Sequence, residues 1–242
     1  MPLNDLSVHS PETALKPLYL LADSQLLFPP KGGWSLLGEM RKQLPALDLR
    51  AAYVGAANGD DPPFFAIFEA AMHSIGITDR RHISSHYRPE EAAYLRSADI
   101  ILLAGGDADL GWRAMNRTVM ASDVRDSYFS GTVLLGVSAG AVLLGVGIDQ
   151  SRDPNSTAEH GALSLVPYLI RVHDEQQDWK QFRADILCAS EGTRGLGIST
   201  GGGIICHPNN ELQPVRRTIV ELCRCADSVA EHLLVPRPPT GP

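Results

Sequence analysis

Uninterrupted apolar runs alternate with amphipathic stretches along most of the chain. Strands are predicted where apolar residues follow one another, at residues 17–22, 49–56, 81–84, 99–104 and 132–137. Helices are predicted for the amphipathic stretches between them, at residues 34–44, 63–75, 89–97, 110–120 and 139–146. Strands and helices in alternation form a mostly parallel sheet with helices on both faces. The pattern therefore predicts an α/β fold.

The remaining third of the chain is patterned less regularly. Residues 149–161 are polar and predict a surface loop, and an apolar stretch follows at 163–172. We predict a helix at 178–189 and a glycine-rich strand or hairpin at 196–206. Apolar positions in the stretch 215–234 predict an amphipathic closing helix that covers the sheet.

Length and charge limit the number of domains and the kinds of partner. The 242 residues suffice for one large α/β domain, which we place at 17–234 between a flexible tail at 1–16 and a disordered proline-rich tail at 235–242. The formal net charge of −7 argues against nucleic acid or an anionic membrane as the main partner. Because the predicted closing helix would cover the sheet, its apolar positions do not decide between a monomer and a homodimer.

The cysteines and the first residues indicate a cytoplasmic protein. The beginning of the chain lacks the basic and then apolar layout of a signal peptide, and no apolar run has the length of a membrane span. The four cysteines lie too far apart for a zinc site or a redox pair: Cys188, Cys206, Cys223 and Cys225. We interpret them as reduced thiols that mostly pack.

One serine stands where a strand-like sequence changes into a helix-like one. The residues Gly136-Val137-Ser138-Ala139-Gly140 have the frame Gly-x-Ser-x-Gly, the pattern of a nucleophile elbow. Glycines permit the tight turn, and the amides that begin the helix, Ala139 first, help to bind an oxyanion. The same residues also fit an ordinary strand–helix turn that contains a serine, so the elbow is a hypothesis.

A second oxyanion donor is expected from another loop at the same edge of the sheet. Gly105 and Gly106 follow the predicted strand 99–104. In open α/β sheets, ligands bind at the carboxyl ends of the strands. The Gly106 amide is therefore our candidate, while Asp107 fits either a substrate contact or a helix N-cap.

The serine also needs a base, for which histidine is the usual residue. Of the eight histidines, His160, His173 and His207 lie next to loops or strand ends. His173 is the preferred base because it ends an apolar stretch and begins a polar loop, but the pattern alone leaves all three open.

Four motifs in the same order resemble the serine peptidase family that contains dipeptidase E (aspartyl dipeptidase) and cyanophycinase. They are Leu-Leu-Ala-Asp-Ser at 20–24, Ile-Leu-Leu-Ala-Gly-Gly-Asp at 101–107, Gly-Val-Ser-Ala-Gly-Ala at 136–141, and Ala-Leu-Ser-Leu-Val-Pro at 162–167 followed by His173. The resemblance covers about residues 18–205. It implies a flavodoxin-like, three-layer sandwich related to class I glutamine amidotransferases.

The same resemblance assigns roles to individual residues. It implies that Ser138 is the nucleophile, that His173 is the base, and that the amides of Gly106 and Ala139 form the oxyanion hole. It implies a short peptide or peptide-like amide as substrate, and no metal or organic cofactor is required.

The acid of the family's catalytic triad is missing from its expected place. The family's glutamate position falls on Ser199 or Thr200, and neither side chain can carry a negative charge. Loss of the orienting acid of a triad costs several orders of magnitude in rate. A Ser–His pair oriented by Thr200 or by a backbone carbonyl is one alternative.

Other carboxylates are candidates for the third member. Glu159 lies in the loop before the histidine, and Glu191 lies just before the predicted strand at 196–206. Asp174 and Glu175 follow His173 directly, but residues adjacent in sequence do not usually face each other. We therefore expect neither of these two to orient the histidine.

The substrate-binding residues also depart from the family. An arginine-rich stretch beyond the histidine helps dipeptidase E to hold an acidic substrate side chain, and this stretch is shortened here. The nearest equivalents are Arg171, Lys180 and Arg183, which with Asp107 are our candidate substrate contacts. Each of these charges singly also fits an ordinary solvated position.

Two other functions stay open. A member of the same fold that binds or modifies a small molecule would keep the elbow without hydrolysing an amide. An α/β-hydrolase esterase would use His207 or His232 as its base, preceded by Asp185 or Glu191 as its acid. The glycine loop before the serine fits the dipeptidase E pattern better than the esterase.

Overall fold

Among the residues that the structure describes, seven strands form the larger of two β-sheets. The structure, a computed structural model, describes residues 15–29, 33–147 and 161–237. The strands of this sheet are β1 (Leu18–Leu21), β2 (Arg50–Val54), β3 (Asp79–Ile83), β4 (Ile100–Leu103), β5 (Val133–Val137), β8 (Gly203–Cys206) and β9 (Leu212–Val215). Their order is β3-β2-β4-β5-β1-β8-β9. The first five are parallel, whereas β8 and β9 add antiparallel pairs at one side.

Strand β1 shows why these segments are continuous apolar runs. All four of its residues are buried. Leu18 and Leu20 belong to the hydrophobic core on one face of the sheet, and Tyr19 and Leu21 belong to the core on the other face. Because successive side chains of a strand point to opposite faces, a strand covered on both sides needs an apolar residue at every position.

Helices cover both faces of this sheet. They are α1 (Leu36–Arg41), α2 (Pro62–Ser74), α3 (Pro89–Arg96), α4 (Ala108–Asn116), α5 (Met120–Phe129) and α6 (Ala139–Leu144), while α7 (Lys180–Cys188) packs on a smaller sheet. Leu36 of α1 and Phe68 of α2 pack in one core, whereas Met115 of α4 and Leu143 of α6 pack in the other. This three-layer α/β arrangement confirms the predicted flavodoxin-like fold class.

The smaller sheet lies beside the core that contains Met115 and Leu143, which we call the main core. Its strands, in spatial order, are β11 (Ser228–Leu234), β10 (Ile219–Cys225), β7 (Arg194–Ile198) and β6 (Leu169–Val172). Ile170 and Ile219 face the main core, while Leu169 and Val220 pack with Phe182 of α7 in a third cluster. This sheet is therefore also buried on both faces over part of its area.

The predicted closing helix at 215–234 is wrong. The segment forms the hairpin β10–β11, in which Cys225 pairs with Ser228 across a two-residue turn. Residue Ala226 of the turn has φ +49°, a left-handed conformation. Alternate residues of β10 pack in two different cores. The resulting spacing of apolar residues along the sequence also resembles that of a helix.

Two other predicted elements have different bounds in the structure. The helix predicted at 110–120 is α4, which already ends at Asn116, and helix α5 was not predicted. After α4, the Thr118 hydroxyl bonds to the Ala114 and Met115 carbonyls and accepts from the Met120 amide. The strand or hairpin predicted at 196–206 is two strands in different sheets, β7 and β8. The predicted loop at 149–161 and the predicted tail at 1–16 lie almost wholly outside the described residues, as do residues 238–242 of the other predicted tail.

Candidate active site

Ser138 sits on a strained turn between β5 and α6. Its backbone angles are φ +51° and ψ −112°, which lie outside every regular structure. Its amide donates to the Leu21 carbonyl at 2.8 Å, and its own carbonyl accepts from the amides of Ala141 and Val142. Such strain persists only where the surrounding structure holds it, and it is typical of a nucleophile elbow.

Close backbone contacts explain the glycine two residues after the serine. A Cβ atom on Gly140 would lie 2.1 Å from the Leu103 carbonyl oxygen of β4. Helix α6 therefore packs directly against the sheet backbone, which only glycine permits at this position.

The loop after β4 lies against the serine. An ideal Cβ on Gly105 would be 3.3 Å from Cβ of Ser138. Gly106 has φ +139°, and a Cβ there would lie 2.1 Å from the Ala57 carbonyl oxygen. The next amide, of Asp107, donates to that same oxygen at 2.8 Å. The loop is thus held in a conformation that a residue with a side chain cannot adopt without strain.

Asp107 itself is a helix cap. Its carboxylate accepts a hydrogen bond of 2.9 Å from the Leu110 amide at the start of α4. It does not belong to the residues that line the cavity beside Ser138. Of the two interpretations drawn from the sequence, a substrate contact and a helix N-cap, the structure therefore shows the helix N-cap.

His173 lies directly after β6 in a left-handed backbone conformation with φ +61°. Its amide donates to the Ile198 carbonyl at 3.3 Å, which ties it to the end of β7. The buried Asp174 carboxylate accepts from the Phe182 amide in the first turn of α7 at 3.0 Å. These contacts fix the turn that presents the histidine.

The Nδ1 atom of His173 lies 3.1 Å from Oγ1 of Thr200. Thr200 follows β7, so the partner of this ring nitrogen comes from the position where the sequence resemblance places the family's glutamate. The other ring nitrogen of His173, Nε2, takes no part in this contact.

Glu175, which the sequence analysis set aside because it lies close to His173 in the chain, contacts Thr200. Its Oε1 accepts a hydrogen bond of 3.0 Å from the Thr200 amide. Burial would raise the pKa of Glu175, but hydrogen bonds from the Thr200 hydroxyl and amide and the charge of His173 outweigh it and lower that pKa. Its other oxygen, Oε2, is buried and has no hydrogen-bond partner among the described residues.

The other candidates for the third member lie elsewhere. Glu191 is exposed in the turn before β7, at the opposite end of that strand from Thr200. Glu159 lies outside the described residues. The esterase alternative also finds no support: His207 follows β8 at the opposite edge of the sheet from Ser138 and bonds to Gln213, while His232 pairs with Glu221 in the hairpin.

The three candidate cations for an acidic substrate do not meet in the cavity. Arg171 forms an ion pair with Asp185, and Arg183 forms one with Glu231. Lys180 is exposed at the first position of α7. None of the three lines the cavity that holds Ser138 and His173.

That cavity has a volume of about 240 Å³ at the carboxyl ends of the parallel strands. Ser138, His173, Gly105 and Gly106 all line it. The remaining lining residues are mostly apolar: Ala22, Asp23, Ser24, Leu27, Tyr53, Phe64, Ile67, Phe68, Leu102, Ala104 and Val137. Burial raises the pKa of Tyr53 to about 12, so its hydroxyl stays protonated at neutral pH.

Across the described ranges, no three His, Cys, Asp or Glu side chains are grouped so that they could hold a metal ion. The four cysteines are free thiols, and burial raises the pKa of Cys206 to about 12. In the same ranges, every helix is too short or too polar to cross a membrane.

The fold and the site together define the class of protein: a three-layer α/β sandwich that carries a serine on a strained strand–helix turn. The sequence model of peptidase family S51 matches residues 32–212, and the chain belongs to this family. It is thus a member of a family of peptidases, and the resemblance drawn from the four motifs is confirmed.

Solved structures share the fold at low sequence identity. A peptidase from an acI-B1 Actinobacterium is 16% identical, with a TM-score of 0.68 over 93% of this chain and 96% of its own. A candidate peptidase E protein from Listeria monocytogenes EGD-e is 18% identical, with a TM-score of 0.61 over 84% of this chain and 100% of its own. No protein of curated function matches the sequence.

Proposed function

We propose that the chain is a serine peptidase that hydrolyses an amide bond in a short peptide, with Ser138 as its nucleophile. The observation that carries the proposal is the strained backbone of Ser138 beside the Gly105–Gly106 loop, in one cavity with His173. A hydroxyl raised on such a turn, next to an imidazole and amide donors, supports acyl transfer.

The proposed reaction has two halves. Nε2 of His173 takes the proton from Ser138 Oγ while Oγ attacks the substrate carbonyl carbon. The amides of Gly106 and Ala139 hold the negative oxygen of the tetrahedral intermediate, the protonated imidazole gives its proton to the leaving nitrogen, and the C–N bond breaks. Water, deprotonated by the same Nε2, then cleaves the acyl-enzyme ester and restores Ser138.

Thr200 and Glu175 are proposed to take the place of the family's glutamate. If Nδ1–H of His173 donates to Thr200 Oγ1, the threonine hydroxyl is free to donate to the Glu175 carboxylate. That direction of hydrogen bonding fixes the tautomer whose Nε2 lone pair faces the serine. The charge of Glu175 then stabilises the imidazolium through one intervening hydroxyl, so Glu175 is a positioning residue.

Glu175→Gln is expected to lower kcat by about 10- to 100-fold, the range typical of groups that orient another residue's ring, with little change in KM. Because the glutamate charge favours the imidazolium, its loss should also move the acid limb of the pH–rate profile to lower pH. Thr200→Val, which removes the hydroxyl at similar volume, is expected to act in the same direction. Rates across pH 4 to 9 measure both effects.

Glu191→Gln is the matched control, because Glu191 is exposed at the far end of β7. It should leave both the rate and the acid limb unchanged. An acid limb that stays in place in Glu175→Gln, with kcat within about twofold of the wild type, contradicts the role of Glu175.

The peptidase activity itself is tested by incubating the full chain with dipeptides and tripeptide amides and identifying the products by mass spectrometry. We expect cleavage that stops when the protein has reacted with one equivalent of a fluorophosphonate. Hydrolysis that continues after complete modification of Ser138 would contradict the proposal.

A further inference from the structure

The walls of the cavity beside Ser138 indicate what kind of side chain it receives. Resting on the proposed role of Ser138, we propose that this cavity is a subsite for an apolar side chain on the acyl side of the scissile bond. The stretch that helps dipeptidase E to hold an acidic side chain is shortened in this sequence, and the proposal gives the subsite an occupant of a different chemical class.

Helix α2 supplies one apolar wall. Phe64, Ile67 and Phe68 are spaced by three and four residues, so they share one face of the helix, and all three line the cavity. Phe64 is 45% exposed and Ile67 is 38% exposed. Large apolar side chains left open to water beside a candidate nucleophile gain stability when a ligand covers them.

Other lining residues are apolar as well. They include Leu27, Leu102 of β4 and Val137 of β5, and the hydroxyl of Tyr53, which also lines the cavity, accepts a hydrogen bond from the Asn58 side chain. A volume of about 240 Å³ suits a single side chain of leucine or phenylalanine size rather than a whole drug-sized ligand.

The charges of the site disfavour an acidic side chain. Among the described residues, no lysine or arginine lines the cavity. Arg171 and Arg183 form ion pairs with carboxylates outside it. Asp23 does line it, and its carboxylate accepts hydrogen bonds from the amides of Gln25 at 2.8 Å and Gly201 at 2.6 Å. A second carboxylate brought beside it would meet repulsion and lose its water.

The first test compares kcat/KM for the dipeptides Leu-Ala, Phe-Ala and Asp-Ala. We expect the leucine and phenylalanine substrates to exceed the aspartate substrate by about 100-fold or more, the scale of discrimination that a mismatched polar group causes. Equal rates, or a preference for Asp-Ala, would overturn the proposal.

Phe64→Arg places a cation in the apolar wall at an exposed position, so the fold should tolerate it. It is expected to lower kcat/KM for Leu-Ala by about 10-fold or more and to raise that for Asp-Ala. Phe129→Arg is the matched control, because Phe129 is 59% exposed on α5 and does not line the cavity. Identical specificity in Phe64→Arg and Phe129→Arg would count against the subsite.

Binding to Ser138→Ala separates this proposal from the proposed reaction. Calorimetry with that variant should show Leu-Ala bound about 10-fold or more tightly than Asp-Ala, since the apolar wall remains and no chemistry is needed. This preference is expected whether or not the wild type hydrolyses either peptide. Tighter binding of Asp-Ala would overturn the subsite even if Ser138 proves to be the nucleophile.

Discussion

Replacement of Ser138 by alanine is expected to lower kcat for peptide hydrolysis by about 10⁴-fold or more, the scale found when a serine nucleophile is removed. The variant loses the oxygen that forms the acyl-enzyme, while the Gly105–Gly106 loop and the cavity walls stay in place. KM should therefore change far less than kcat. Steady-state kinetics on a cleaved dipeptide measure both constants.

Ser190→Ala is the control for this experiment, because Ser190 is exposed in the turn before β7. It should retain the full rate. A Ser138→Ala protein that keeps a tenth or more of the wild-type kcat would remove Ser138 from the nucleophile role.

The largest effect on stability is expected from Gly140→Ala. The added methyl group would lie 2.1 Å from the Leu103 carbonyl oxygen, so either α6 or β4 must move. Overpacking of this kind, against backbone rather than a flexible side chain, should lower the free energy of unfolding by about 3 kcal/mol or more. Urea unfolding followed by far-UV circular dichroism measures the change.

Gly76→Ala is the control that separates the steric clash at Gly140 from the general cost of replacing a glycine. Gly76 has φ +78°, but nothing lies within 4 Å of the added methyl group. Its replacement should cost only the left-handed backbone penalty, about 1–2 kcal/mol. If Gly140→Ala is no more destabilised than Gly76→Ala, the close packing of α6 on the sheet is contradicted.

The central sheet is predictable because burial on both faces leaves a direct mark on the sequence. Ile100–Leu103 and Val133–Val137 are uninterrupted runs of apolar and glycine residues, and every one of these residues is buried. A helix of that length would leave some positions exposed. The parallel part of the fold therefore followed from the pattern.

The hairpin β10–β11 was not predictable from the same pattern. In β10, Ile219 packs on the main core and Val220 on the cluster with α7, while Glu221 is buried with an ion pair to Arg194. Apolar and polar residues thus both occupy buried positions. The sequence then lacks the alternation that identifies a strand with one solvated face.

The candidate site likewise has one part that the sequence predicts and another part that it does not. Ser138 and the Gly105–Gly106 loop belong to short contiguous motifs at strand ends, so their meeting in one cavity could be predicted. The partners of His173 could not, because they depend on two turns. One turn directs Glu175 back towards the sheet, and the other brings Thr200 to it from 25 positions further along the chain.

The candidate substrate cations show why positive charges along a sequence do not by themselves identify a subsite for an acidic side chain. Arg171 and Arg183 follow the order of the family's stretch along the chain. Their partners, Asp185 and Glu231, come from α7 and from β11. Charge pairs of this kind depend on tertiary structure, and a local motif does not reveal that a cation is already occupied.

Peptide mapping after reaction with a fluorophosphonate shows whether Ser138 is an activated nucleophile. Mass spectrometry of the digested wild-type chain should show one adduct, on the peptide that contains Ser138, formed more slowly in His173→Ala and in Thr200→Val. A correctly folded chain that carries no adduct, or carries it on another residue, would contradict this role of Ser138, and the former result would favour a small-molecule-binding protein on the same fold.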